Sequence, residues 1–322
     1  MNFLHSVAVQ DQAISADGVF QFDMPVNPLS VILVCLRPLN DTGTLANFNN
    51  YLAICQAINR VSVYSKGYSV FQMRGEDAAA LNYFRHGILP FQVQHDDTND
   101  ERRCVVLPIL TGRWPFSTKS CLPSHKRGEC VLELDLDIAD TGYDGLRISV
   151  ETIELPDAKP TEWERKVSVN QTWAATGENI IDFSPGKVCR GILLFGTTRF
   201  NGAAPAPSWG RLKVLVDNFE TGFHSTDIEV ASMLTSLWGR QPPSADAHKH
   251  RVTTDGNAQT ELSTLAGPFE QGNGWGQWAF LDYDPTGDDQ FALDTTKSSR
   301  FAIQATAESA DAVRAIPVEI LK

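Results

Sequence analysis

The sequence predicts an all-β protein made of two tandem eight-stranded jelly rolls, each with a short helix after its early strands. Three observations carry this. The chain repeats one order of segments twice, those segments are short and alternate apolar with polar residues, and helical periodicity is confined to one place in each copy. Length agrees: a single core usually stops growing near ~250–300 residues, so a chain of 322 residues with 42% hydrophobic content divides naturally into two domains of about 150.

The repeat is the strongest signal, because self-similarity sets architecture before any motif does. Residues 61–84, VSVYSKGYSVFQMRGEDAAALNYF, align without a gap to residues 214–237, VLVDNFETGFHSTDIEVASMLTSL, 153 positions on. Residues 19–40 align to 180–201 at an offset of 161, matching Phe22 with Phe183, the run Val31 to Val34 with Ile192 to Phe195, and Asn40 with Asn201. SVAVQ at 6–10 answers KVSVN at 166–170, an offset of 160. At the far end 121–136 resembles 292–307 (offset 171), and RISVETIEL at 147–155 resembles AIPVEIL at 315–321 (offset 168). Identities are few, but the order is kept and the offsets differ only by loop-sized amounts. The copies join near Pro156-Asp157-Ala158-Lys159-Pro160, which reads as a stiff, extended linker. The expected domains are 1–157 and 158–322.

Within each copy the segments read as half-buried strands. In CVLELDLDI, residues 130–138, Val131 and Glu133 fall on one side of a pleat and Leu132, Leu134 and Leu136 on the other; Ile148, Val150 and Thr152 alternate with Ser149 and Glu151. Turn signals separate them: Ala16-Asp17-Gly18, Asp41-Thr42-Gly43, Asp140-Thr141-Gly142 and Asp284-Pro285-Thr286-Gly287. About eight strands per copy with long connections match a Greek-key sandwich rather than a ladder of tight hairpins.

Helix is expected where Gly75-Glu76-Asp77 opens AAALNYF, acids at the positive end and Leu81 and Phe84 on one face. In the second copy Ser225-Thr226-Asp227 caps a run with Ile228, Ala231, Leu234 and Leu237 spaced by threes. The second copy also carries a long insertion, around 240–276, expected to stand out as a tower or a trimer-contacting excursion.

A net charge of −12 excludes a surface devoted to holding nucleic-acid phosphates, and no direct nucleic-acid binding is expected. The six cysteines, Cys35, Cys55, Cys104, Cys121, Cys130 and Cys189, sit singly in strand-like runs without a CxxC pair, and read as buried free thiols. The N-terminal residues lack a cationic start and a continuous apolar stretch, and no run approaches the ~18 apolar residues of a spanning helix, so synthesis in a host cytoplasm is expected.

The search for chemistry yields no catalytic, cofactor-binding or metal-binding residues and no cofactor. GxSxG, HExxH and P-loop patterns are absent from the sequence. Gly272-Asn273-Gly274-Trp275-Gly276 does not open a helix after a parallel strand and reads as a bent aromatic loop. His248-Lys249-His250 has a lysine between its imidazoles and reads as solvated loop. The run Asp282 to Asp289 looks like half of a calcium loop without the closing glutamate, and reads as a polar turn, with a lattice-stabilising cation as the functional alternative. The acidic run His95 to Glu101 reads as a solvated connection, its alternative being a salt-bridge partner between subunits. Of the tryptophans, Trp114, Trp209 and Trp278 are expected in the core or at sheet ends, and Trp163, Trp173, Trp238 and Trp275 nearer loops, where exposure would mean an interface or a sugar-stacking platform.

Two successive jelly rolls of about 150 residues, each with a helix after its early strands and joined by a short Pro-bearing linker in an acidic chain, resemble the double jelly-roll major capsid proteins of the tectivirus, corticovirus and adenovirus lineage. The small icosahedral bacteriophage members are nearest in length. The resemblance covers nearly the whole chain and rests on architecture, not on an invariant signature. It implies a structural protein, not an enzyme, located in the virion. Its expected state is a homotrimer of pseudo-hexagonal outline that tills icosahedral facets, with strands roughly perpendicular to the shell. Implied partners are other copies of itself, further capsid and vertex proteins, and an internal lipid membrane. The alternative of another class is a tandem jelly-roll protein that binds or cleaves glycans, which needs a cleft with convergent acids and aromatics.

Overall fold

The computed structural model describes residues 2–39, 53–93, 104–138, 145–174, 176–197, 208–228, 230–231, 234, 277–308 and 310–322. The expected excursion at 240–276, the acidic run at 95–101, His248 to His250, the Gly272 to Gly276 loop, Trp238 and Trp275 lie outside these residues.

The first half contains β1 (Leu4–Ile14), β2 (Gly18–Asp23), β3 (Leu29–Leu39), α1 (Ala53–Gln56), β4 (Ile58–Ser65), β5 (Tyr68–Met73), α2 (Gly75–His86), β6 (Phe91–Val93), β7 (Cys104–Leu110), β8 (Cys130–Leu136) and β9 (Gly145–Glu154). The second contains β10 (Trp163–Val167), β11 (Val169–Trp173), β12 (Gly177–Phe183), β13 (Val188–Gly196), β14 (Trp209–Val216), β15 (Phe219–Glu220), β16 (Thr226–Asp227), β17 (Trp278–Asp282), β18 (Leu293–Asp294), β19 (Phe301–Ala307) and β20 (Asp311–Leu321).

Strand order makes each half a jelly roll. In the first, β1-β9-β3-β7 form one sheet, with β6 at its edge, and β5-β4-β8-β2 the other. In the second, β10 and β11 share β20, which continues to β13 and β17, and the facing sheet runs β12-β19-β14-β15 with β16 also on β14. Each quoted sequence match falls on strands in equivalent places: β1 with β10 and β11, β2 with β12, β3 with β13, β4 with β14, β8 with β19, β9 with β20.

The residue register is looser than those gapless matches. Val34 lies opposite Val150, but its match Phe195 lies opposite Arg314 instead of Val318, four residues from where the match puts it. Val61 faces Leu134, while Val214 faces Ile303 instead of Ala305, two residues away. Both slips are even, so paired residues still share a face. On the central strands, however, the matched faces differ, since Val34 and Val150 lie inside the first jelly roll whereas Phe195 and Val318 point out of the second and into the first. The sandwich needs the alternation and tolerates the slip.

Alternation also explains the two cores. In the first, Val34 and Leu36 of β3, Ile148 and Val150 of β9, and Leu107 of β7 face Leu132 and Leu134 of β8 and Val61 and Val63 of β4. In the second, Ile192 and Leu194 of β13 and Ala279 and Leu281 of β17 face Ile181, Val214 and Ile303. The intervening residues of the same strands, Leu193, Phe195, Trp278, Phe280, Ile316 and Val318, point the other way and join the core of the first jelly roll. One sheet of the second jelly roll is therefore buried on both faces, which makes β13 a continuous apolar run rather than an alternating one.

Helix α2 fills the space between. It starts at Gly75 with Glu76 and Asp77 in the first turn and ends at Gly87, whose left-handed backbone (φ 67°) lets its N–H bond Tyr83 O at 2.9 Å. Ala78, Ala79, Ala80 and Leu81 are all buried, so the small residues serve close packing on every side. In the second half Ile228, Val230, Ala231 and Leu234 are helical at the corresponding place. The linker departs from the extended form expected of it: Ala158 N–H bonds Leu155 O at 2.9 Å, closing a turn with Pro156 at the position where its fixed φ is favoured.

Candidate functional site

Among the described residues, the feature of greatest physical consequence is the seam between the jelly rolls. It begins with the backbone. β10 pairs in parallel with β5, Lys166 beside Phe71 and Val167 beside Gln72, and Ser168 N–H extends the ladder to Gln72 O at 2.8 Å. This single pairing fuses a sheet of each jelly roll into one ten-stranded sheet, β17-β13-β20-β10-β5-β4-β8-β2 with β11 and β18 alongside.

Beside it lies a buried ionic network. Glu164 receives Arg85 Nη1 and Nη2 at 2.7 and 2.9 Å, Arg190 Nη1 at 2.9 Å and Lys166 Nζ at 2.8 Å. Arg190 also reaches Glu162 at 2.7 Å and Asp289 at 2.7 and 3.0 Å. Arg113, from the first jelly roll, binds Asp289, Asp284 at 2.9 Å and the Gly287 carbonyl at 2.8 Å. The cations Arg85, Arg113, Lys166 and Arg190 balance the anions Glu162, Glu164, Asp284 and Asp289, which is what permits such burial. Burial pushes the Glu164 carboxyl up, but Arg85, Lys166 and Arg190 outweigh it and hold the group well below the ordinary range. Burial instead dominates at Lys166, whose pKa falls to about 8 despite Glu164.

A second cluster sits at the start of α2. Arg314 donates to Asp77 at 2.7 and 2.8 Å and to Glu76 at 2.7 Å, and Trp278 Nε1 donates to Asp77 at 2.9 Å. The guanidinium lies 3.5 Å from the centre of the Phe195 ring, which packs against Trp278 at 5.0 Å. A third, at the outer side of β20, joins buried Glu319 to Arg165 and Lys187.

These positions bear on two sequence readings. The Asp282 to Asp289 segment, read as a polar turn, is bound by protein cations: Arg113 and Arg190 take up its carboxylates Asp284 and Asp289. Of the tryptophans, Trp209 and Trp278 are buried as expected, but Trp114 is 42% exposed against His86, and Trp173, expected near a loop, is buried against Trp209. All six cysteines are free thiols; Cys104 is half-buried and the other five are buried, with burial pushing Cys55, Cys130 and Cys189 to about 12. The seam itself was missed in the sequence. Its signal was present as charges inside strand patterns: Glu164 and Lys166 in WERKV, Arg190 in VCRGILLFG and Arg314 in AVRAIPVEI.

No protein-family model and no curated protein matches the sequence. Solved structures do match over the whole chain. The major capsid protein of STIV aligns with a TM-score of 0.67 at 12% identity, covering 100% of this chain and 97% of that one. The major capsid protein P2 of bacteriophage PM2 aligns at 0.62 and 11%, covering 99% and 97%. PBCV-1 VP54 aligns at 0.59 and 10%, covering 99% and 94%. The bacteriophage protein does not stand out among them, so the likeness does not single out a bacteriophage origin. The chain has the double jelly-roll fold of these viral major capsid proteins.

Proposed function

We propose that this chain is a structural major capsid protein whose homotrimers, pseudo-hexagonal in outline, tile an icosahedral virus shell, and that it carries no enzymatic activity. Its place is the virion, its principal partner is its own copies, and the remaining capsid and vertex proteins and an underlying membrane are secondary partners. The jelly-roll units are 1–157 and 158–322.

The observation that supports this best is the rigid seam. A tile must hold its two lobes at one angle, and here a shared ten-stranded sheet, α2 and a charge-balanced buried network do so. Two equivalent lobes per chain make six per trimer, which fills a hexagonal position with closed three-fold symmetry. The test is native mass. Purified protein is expected at three times 35.5 kDa. A monomer at high concentration that retains or cleaves glycans would replace this reading with the glycan one.

A further inference from the structure

Four of the six cysteines serve as small apolar groups in the interior. Cys55 and Cys130 lie in the core of the first jelly roll, Cys189 in that of the second, and Cys121 is fully buried. Cys35 and Cys104 have a different setting. Along β3, Val34 and Leu36 point into the core, so Cys35 between them points out of the sandwich. There it lies opposite Ser149, whose Oγ accepts from Arg37 Nη1 at 3.3 Å. Along β7, Val105 and Leu107 point inward, so Cys104 and Val106 point outward.

Register brings these two thiols together. Cys35 lies opposite Val106, and Cys104 is two residues away on the same face, which makes the cysteines diagonal neighbours on adjacent strands. Their sulfurs are 3.4 Å apart, in direct contact. A disulfide bond is ~2.0 Å long, so the sulfurs need only a short further approach. The pairing of β3 with β7 stops at Leu36 and Val105, one step before Cys104. Cys104 thus sits past the end of that ladder, where its backbone can move toward β3.

We infer that Cys35 and Cys104 are a reversible dithiol and disulfide pair, a modification site on the outer face of the first jelly roll. The inference is independent of how the chain assembles. Exposure divides the roles. Cys104 is half-buried and is the sulfur that a soluble oxidant reaches, whereas Cys35 is 7% exposed and burial pushes its thiol up to about 12. With a low-molecular-weight disulfide as oxidant, the Cys104 thiolate attacks one sulfur of the reagent and expels the other as a thiolate, leaving a mixed disulfide. Cys35 then attacks the Cys104 sulfur and expels the second reagent thiolate. One sulfur–sulfur bond breaks and one forms, and the two cysteine protons end on the two reagent thiols. The cysteines are oxidised and the reagent is reduced. Contact with Cys104 adds to the rise at Cys35, so converting Cys104 to a mixed disulfide eases the loss of the Cys35 proton.

The bond closes a loop between positions 69 residues apart, spanning α1, β4, β5, α2 and β6. That loop carries Glu76 and Asp77, which bind Arg314, and Arg85, which binds Glu164. Oxidation therefore staples the part of the first unit that holds the second. Restricting the unfolded chain in this way is expected to raise the melting temperature by roughly 5 °C.

The test uses the full chain and oxidised glutathione. Thiol titration in denaturant should find six thiols before treatment and, with two consumed, four after, while the mass falls by two hydrogen atoms and no adduct remains. Peptide mapping should join Cys35 to Cys104, and a thiol reductant should restore all six and reverse the thermal shift. Two variants separate the steps. Cys35→Ser lacks the second sulfur and should retain one glutathione on Cys104, whereas Cys104→Ser should retain none and gain no stability. Both substitutions lie on the outer face, so circular dichroism should show the native fold. Six thiols that persist after treatment, or a bond mapped to another pair or between chains, overturns the assignment.

Discussion

Asp77 and Arg314, 237 residues apart in the chain, form a two-pronged ion pair at 2.7 and 2.8 Å in the interior between the jelly rolls. Glu76 and Trp278 complete the site, so the first turn of α2 is tied to β20 and β17 of the other unit.

Breaking this pair from one side should be costly. Arg314→Met leaves Asp77 buried with only the indole N–H and the helix dipole to stabilise it, and truncating one partner of a buried pair costs about 3–5 kcal/mol. Asp77→Asn should cost less, since its amide oxygen still accepts from Arg314 and Trp278. Urea unfolding of both single variants and the double variant gives the coupling energy, and the double is expected to lose less than the sum. Additive losses would mean that the pair does not act across the seam.

Glu164 sets an acid limit. Its carboxyl is held well below its ordinary value of 4.5 in the folded protein, so the unfolded chain binds the extra proton first. The stabilisation is complete above about pH 4.5 and is lost as pH falls through the folded value. Glu164→Gln leaves Arg85, Lys166 and Arg190 together without their central anion. It should cost about 3–5 kcal/mol at neutral pH and flatten the acid slope. Unfolding free energies from neutral pH into acid check both parts, and an unchanged acid slope in the variant would contradict the assignment.

Gly75 opposes two effects of different size. Alanine in its place would gain up to about 1 kcal/mol of helix propensity. A Cβ there, however, would overlap the carbonyl oxygen of Cys55 and lie 2.8 Å from Ile58 Cβ. Backbone on one side and a buried branched side chain on the other cannot yield, and overpacking costs typically ~1–3 kcal/mol. Gly75→Ala is therefore expected to lower the melting temperature, whereas Gly67→Ala, in open space at φ 83°, loses only through its backbone conformation. A more stable Gly75→Ala variant would show that α1 and α2 can separate at little cost.

Legibility in the sequence followed the physics of each feature. The strands of both units were readable because period-two alternation is a local property, as in Leu132, Leu134 and Leu136. Their equivalence was readable because segment order and alternation survive the slips of register, although on β13 and β20 the matched residues turn to the opposite face. The burial of Trp173 was left open because its neighbours along the chain do not reveal that Trp209 covers it. The seam was invisible for the same reason: Glu164, Arg85 and Arg190 come from three separate elements, and only the fold brings them to one point. The cation partner of the Asp282 to Asp289 turn was equally hidden, because Arg113 lies 174 residues before Gly287, whose carbonyl it binds.

A shared core implies shared unfolding. Leu193, Phe195, Trp278, Phe280, Ile316 and Val318 of the second unit pack with Leu81 and Ala79 of α2 and with the first unit's strands, so neither unit can open without exposing the other's apolar surface. The buried charges reinforce this, because separating the units strands Arg85 from Glu164 and Asp77 from Arg314. Calorimetry is expected to show one transition, with a total enthalpy of roughly 225 kcal/mol near 60 °C for a chain of 322 residues. Its van't Hoff enthalpy should approach the calorimetric value when measured under conditions in which the chain is monomeric, where dissociation does not contribute. Two independent units would instead give a van't Hoff enthalpy near half the total. Arg314→Met should move the protein toward that second behaviour, splitting the transition, and a transition that stays single in the variant would show that apolar packing alone couples the units.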